Sequence, residues 1–167
     1  MRVESPSPGE TEAIADLWVA LAREQQCHGA RLAAEPNRDA VAETVARAVV
    51  ADGVRVARAE EDDDAPAGEL LGFVMFGPDT SGLETTMTGG TVENVYVRPS
   101  FREQGIGSAL LEAAEEALAA RGVDVVELEA LAANEAARRF YRRHGYEPHR
   151  VRMDRTLESD THSRDAE

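Results

Sequence analysis

The stretch Val95-Tyr96-Val97-Arg98-Pro99-Ser100-Phe101-Arg102-Glu103-Gln104-Gly105-Ile106-Gly107-Ser108 allows few folds. Val95 and Val97 alternate as in a strand, and Pro99 ends the alternation. A helical period then takes over within Gln104–Arg121, with Ile106, Leu110, Ala114, Ala117 and Leu118 on one face and Gly122 as its stop. A strand that feeds directly into a long amphipathic helix must pack that helix back onto its own sheet. The chain is therefore built around a sheet with helices laid over it.

The flanking segments fit that frame. Met1–Ser5 reads as an edge strand closed by Pro6 and Pro8, and Ile14, Leu17, Trp18 and Leu21 form a helical stripe from Glu10 onward. Gln25–Asn37 has no period, and a second helix is expected over Asp39–Ala51. Val54–Ala59 and Glu69–Phe76 read as a hairpin around the acidic turn Glu60–Gly68, and Thr91–Val97 as the strand before the helix. Val123–Leu131 reads as a strand and Asn134–His144 as a helix ended by Gly145. Two short strands are expected in Tyr146–Leu157. The expected organisation is a single domain over residues 1–157, with a disordered acidic tail over 158–167.

Composition limits the function classes. With 32 acidic residues against 18 basic ones and a net charge of −14, a general nucleic-acid partner is not expected. The surface resembles that of proteins suited to a salt-rich cytoplasm, where self-repulsion is screened. No apolar run approaches the ~18 residues of a membrane span, and Met1-Arg2-Val3-Glu4 lacks the apolar stretch of a secretory signal. A cytoplasmic location without a membrane partner is expected. Cys27 is the sole cysteine, so neither an internal disulfide nor a cysteine-built metal site is expected, and no metal-ligand spacing occurs. The exception to the acidity is Asn134–Arg155, with seven arginines against three acids. Such a segment is either an anion site or a solvated helix face.

The turn itself suggests an anion. The first turn of a helix leaves N–H groups unpaired, Gly105 and Gly107 remove side chains from that surface, and Arg102 adds a cation. The spacing is neither that of dinucleotide folds nor that of P-loop nucleotidases.

These residues resemble the GNAT superfamily of acyl-CoA-dependent N-acyltransferases. The family's (R/Q)-x-x-G-x-(G/A) pyrophosphate motif stands as Arg102-Glu103-Gln104-Gly105-Ile106-Gly107, and its L-x-V-x-P strand as Val95-Tyr96-Val97-Arg98-Pro99. Its N-x-x-A…F-Y-x-x-x-G-(F/Y) segment stands as Asn134 to Ala137 and Phe140 to Tyr146. The resemblance implies an α/β fold with a mixed, mostly antiparallel sheet, splayed at the cofactor site and flanked by about four helices. It implies acetyl-CoA as co-substrate, no metal, and a small-molecule or peptide amine as acceptor; a homodimer is the one self-association considered. Pantetheine would meet the backbone of Val95, Tyr96 and Val97, and the pyrophosphate would meet Arg102 to Ser108. Asn134 would bond the pantetheine arm, and Arg143 would reach a phosphate.

For chemistry, the resemblance implies Tyr141 as the acid that protonates the leaving thiolate. Glu93 is the first candidate base, two residues before Val95 on the strand, and Glu129 on the neighbouring strand is its rival. A non-catalytic acyl-CoA-binding module would keep Arg102 to Gly107 without needing Glu93 or Tyr141.

Overall fold

The computed structural model describes residues 1–61 and 63–157. In chain order its elements are β1 (Arg2–Glu4), α1 (Thr11–Gln26), α2 (Arg38–Val50), β2 (Val54–Arg58), β3 (Leu70–Pro78), β4 (Gly89–Val97), α3 (Ile106–Ala119), β5 (Val125–Leu128) and α4 (Glu135–Arg143). The strands form one sheet in the order β1-β2-β3-β4-β5. Neighbours run antiparallel except β4 and β5, which are parallel. A parallel pair needs a crossover, and α3 supplies it. This is the mixed, mostly antiparallel sheet with four helices that the family resemblance implies.

Two cores sandwich the sheet. On one face Ile14, Trp18 and Leu21 of α1 and Val45 of α2 pack on Val54, Val56, Phe73, Met75 and Tyr96. On the other, Ile106, Leu110, Leu111, Ala114 and Leu118 of α3 pack on Leu71, Val74, Phe76, Val92 and Val97. The central strand β3 is covered on both faces, so Leu70 to Phe76 is a continuous buried run rather than an alternation.

Bulges break that alternation in two places. Ala57 pairs Gly72 and Arg58 pairs Leu70, leaving Leu71 as an extra residue in β3. Met75 pairs Asn94 and Phe76 pairs Val92, leaving Glu93 as an extra residue in β4. Each bulge shifts the alternation by one: Leu71 and Val92 both lie in the α3 core, where strict period-2 counting from Phe73 or Tyr96 would put them in the other.

The two strands expected in Tyr146–Leu157 do not form. Val151, Met153 and Leu157 are 83%, 88% and 77% exposed, and the segment has no ladder partner. Alternating side chains describe a strand only when another backbone takes up its hydrogen bonds, and Arg150, Arg152 and Arg155 interleave these apolar residues with solvated charge. Along it run exposed ion pairs of Arg31 with Asp154 and of Arg152 with Glu129. The strand expected over Val123–Leu131 contracts to β5, and the tail expected to be disordered over 158–167 lies outside the described residues. Among the described residues no helix is long and apolar enough to cross a membrane.

Candidate active site

The site forms where β4 and β5 part. Their pairing covers Gly89 to Val92 against Val125 to Leu128 and then stops, while β4 continues to Val97. Register shows which backbone groups this exposes. The Arg98 N–H donates to the Leu71 carbonyl at 2.8 Å, and Gly72–Val97, Phe73–Tyr96 and Val74–Val95 follow as successive pairs. Because hydrogen-bonded and non-hydrogen-bonded pairs alternate in an antiparallel ladder, Tyr96 turns its N–H and C=O toward β3. Val95 and Val97 turn theirs away, into the space that β5 has left. The splay expected from the family resemblance is thus a consequence of short β4–β5 pairing beside the bulge at Glu93.

Tyr96 has a different role from its neighbours. It is 6% exposed, packs against Phe73 in the α1–α2 core, and offers no free backbone group to the opening. Burial raises its phenol pKa, so the hydroxyl stays protonated.

Beyond β4 the chain passes through the 3-10 turn Pro99–Phe101 into α3. Glu103 and Gly105 both have left-handed backbone, at φ 62° and 82°. Glu103 is a non-glycine residue there, a local strain of the kind found at ligand-binding turns. Gly105 caps α3 without any side-chain hydrogen bond, and the first intrahelical bond runs from the Ala109 N–H to its carbonyl. The N–H groups of Ile106, Gly107 and Ser108 therefore project from the helix start, where the dipole favours an anion. Gln104 is exposed beside them, and Ile106 is 3% exposed, so it contributes backbone to the turn and side chain to the core. The two glycines are not equally constrained: a Cβ on Gly107 would make an ordinary 3.4 Å contact with the Phe140 ring, whereas Gly105 has open space and is required by its φ.

Arg102 is held rather than free. Its Nη1 and Nη2 donate to the Glu24 carboxylate at 2.7 and 2.6 Å, its Nε donates to the Val97 carbonyl at 2.9 Å, and its guanidinium carbon lies 5.7 Å from the centre of the Tyr96 ring. This bidentate pair holds the Glu24 carboxyl below the ordinary carboxylate range and raises the Arg102 pKa. Glu24 escaped the sequence reading because it lies 78 residues from Arg102, on a helix whose apolar stripe gives no sign of the partner.

Helix α4 closes the other side. The Asn134 Oδ1 accepts from the Ala137 N–H at 3.0 Å, a helix cap that leaves the amide NH2 without a partner among the described residues. Phe140 and Tyr141 are both half-buried against the α3 core, so the expected division into one core ring and one site ring is not clean. Phe140 covers Gly107, while Tyr141 stacks edge-on with Phe140 at 5.3 Å and Tyr146 at 5.9 Å. Burial pushes the Tyr141 phenol up and keeps it protonated. Arg143 is exposed, with no ion pair among the described residues. His144 was given no part by the sequence, yet its Nδ1 lies 2.8 Å from the Phe140 carbonyl and its Nε2 2.9 Å from the Ser108 hydroxyl.

The candidate bases differ in setting. Glu93 is exposed at the bulge of β4, beside the open backbone of Val95. Glu129 is 89% exposed one residue past β5, 3.9 Å from Arg152.

Comparison with known proteins agrees with this architecture. The model of the acetyltransferase (GNAT) family matches residues 24–146. An N-acetyltransferase of Archaeoglobus fulgidus, itself uncharacterised, is 36% identical over 90 residues, which are 54% of this chain and 56% of that protein. The match thus spans little more than half the length of the relative. A mutant protein from Bacillus halodurans superposes with a TM-score of 0.76 at 19% identity, over 95% of this chain and all of that one. A GCN5-related N-acetyltransferase from Ralstonia eutropha superposes at 0.69 and 23% identity, over 93% of this chain and 97% of that one. These two share the fold. With a family model that spans residues 24–146, most of its length, and the family's motifs standing on β4, at the start of α3 and along α4, the chain belongs to the GNAT acetyltransferase family.

Proposed function

We propose that the protein transfers an acetyl group from acetyl-CoA to a primary amine by direct attack, with no covalent enzyme intermediate. The observation that carries this reading is the Val95 N–H turned into the gap between β4 and β5, next to a helix start whose N–H groups are free. The gap fits an extended pantetheine chain, and the left-handed turn at Glu103 and Gly105 fits a pyrophosphate. Arg143 of α4 and the amide NH2 of Asn134, its N-cap, are assigned as further donors to the cofactor.

In this mechanism the Val95 N–H donates to the thioester oxygen as negative charge develops there. Glu93, through water, takes the proton that the amine must lose before its nitrogen bonds to the carbonyl carbon. The carbon–sulfur bond then breaks, and Tyr141 gives the departing thiolate a proton. A phenol kept protonated by burial is suited to that step. Glu93 is preferred to Glu129 because it lies on the strand that offers the oxyanion donor. A cationic acceptor suits a protein of net charge −14.

The test compares wild type with Tyr141→Phe, measuring CoA affinity and acetyl-CoA consumption over a panel of amines. A fall in kcat on the order of 10²-fold with unchanged CoA affinity supports the acid role. CoA binding without turnover of any amine, at low or high salt, would instead identify a non-catalytic acyl-CoA module.

A further inference from the structure

We propose that His144 is a positioning residue of the donor site, releasing the Ser108 hydroxyl to the cofactor's pyrophosphate when the imidazole takes up a proton. The inference rests on the reading of the α3 start as the pyrophosphate site. It follows from the hydrogen-bond inventory of one side-chain pair.

The Phe140 carbonyl, 2.8 Å from Nδ1, can only accept, so Nδ1 carries a hydrogen in either charge state. In the neutral ring Nε2 is then a bare acceptor, and the Ser108 hydroxyl, 2.9 Å away, must spend its only hydrogen on it. In the protonated ring Nε2 becomes a donor to that same oxygen. The Ser108 hydrogen is then free to point elsewhere. Ser108 lies in the first turn of α3, whose unpaired N–H groups mark where an anion would sit. Protonation therefore adds a hydroxyl donor to the backbone N–H groups of the anion site and one positive charge behind it. The ring packs against Phe140, tilted by 47° with 4.4 Å between centroids.

Three neighbouring elements carry charged groups around the ring. From α3 come Glu112, one turn past Ser108, and Glu115, which accepts from the Tyr146 hydroxyl at 2.7 Å. From the turn come Glu103 and Arg102, the latter engaged by Glu24. Helix α4 itself supplies Arg139, Arg142 and Arg143. Among the described residues none of these forms an ion pair with the ring. Carboxylates change charge at lower pH and guanidiniums at higher.

The probe is dephospho-CoA, whose pyrophosphate stays fully ionised between about pH 5.8 and 8, unlike a terminal phosphate, which titrates near 6. Its Kd is measured by calorimetry across that range, in buffers of different ionisation enthalpy. The expected result is binding on the order of tenfold tighter at the acidic end, with net proton uptake. Both effects should be absent in His144→Gln, whose amide can still donate to Ser108 without titrating. Ser108→Ala should keep part of the charge effect and lose the rest. If either variant fails to fold, nitrogen chemical shifts of His144 in the wild-type protein, with and without dephospho-CoA, report the same proton uptake. Wild-type binding that is intact but independent of pH, or a pH effect that persists in His144→Gln, would overturn the proposal and leave the pyrophosphate site standing. Absence of dephospho-CoA and CoA binding at every pH would remove both.

Discussion

Gly105 and Gly107 share one motif but answer to different forces, and substitution separates them. Alanine at 105 would be forced into the left-handed region, costing about 1–2 kcal/mol and distorting the helix start. Alanine at 107 meets the edge of the Phe140 ring at 3.4 Å, an ordinary contact distance, and should change stability by less than about 1 kcal/mol. Urea denaturation of the two variants, alongside CoA affinity, checks this: Gly105→Ala should lose both, Gly107→Ala neither. The Glu24–Arg102 pair makes a separate prediction. The folded carboxyl is depressed, so the pair's contribution is full above the unfolded carboxylate value and disappears as pH falls through the lower folded one. At about 38% exposure that contribution is of order 1 kcal/mol or less. The stability gap between wild type and Glu24→Gln should therefore be flat at neutral pH and close below the ordinary carboxylate range. A gap that widens on acidification would contradict the pairing. Arg102 and Gly105 were legible from the sequence because a motif and a backbone requirement mark them. Glu24 and His144 were not, because long-range side-chain pairs leave no local pattern.

Among the elements, β4 determines the site and was the easiest to anticipate in outline. Its apolar alternation and the proline after it are local signals, and so is the helix that follows. The bulge at Glu93 is not local: it exists only in the register of β4 against β3. An extra residue removes Glu93 from the strict alternation that sequence spacing assumes, and bulges beside active sites commonly re-aim a side chain. The base assignment can be tested on this strand against its neighbour. Glu93→Gln should lower kcat on the order of 10²-fold with CoA affinity retained, while Glu129→Gln should leave both nearly unchanged. The reverse pattern would move the base to the far side of the gap. The misread element is the C-terminal segment, where Val151, Met153 and Leu157 carry a strand's alternation without a strand's partner.

For the whole molecule, the three-layer architecture, a sheet with helices on both faces, follows from the apolar periods, and the solved structures that superpose on it share the fold. Charge acts at this scale as well. A net −14 implies self-repulsion that added salt should relieve, so the melting temperature should rise between low salt and about 1 M. A melting temperature that is independent of salt would show that the local pairs, such as Arg58 with Glu4 and Glu10, already neutralise the repulsion. The acceptor was never legible, since Gln25 to Asn37 carries no motif, and its chemistry depends on side chains that no period constrains. The most direct test of the central claim is mass-spectrometric detection of acetylated product, with the protein, acetyl-CoA and a panel of primary amines at low and high salt. The account predicts an acetylated amine formed in step with free CoA and lost in Tyr141→Phe. Tight CoA binding with no acetylated product from any amine would contradict it.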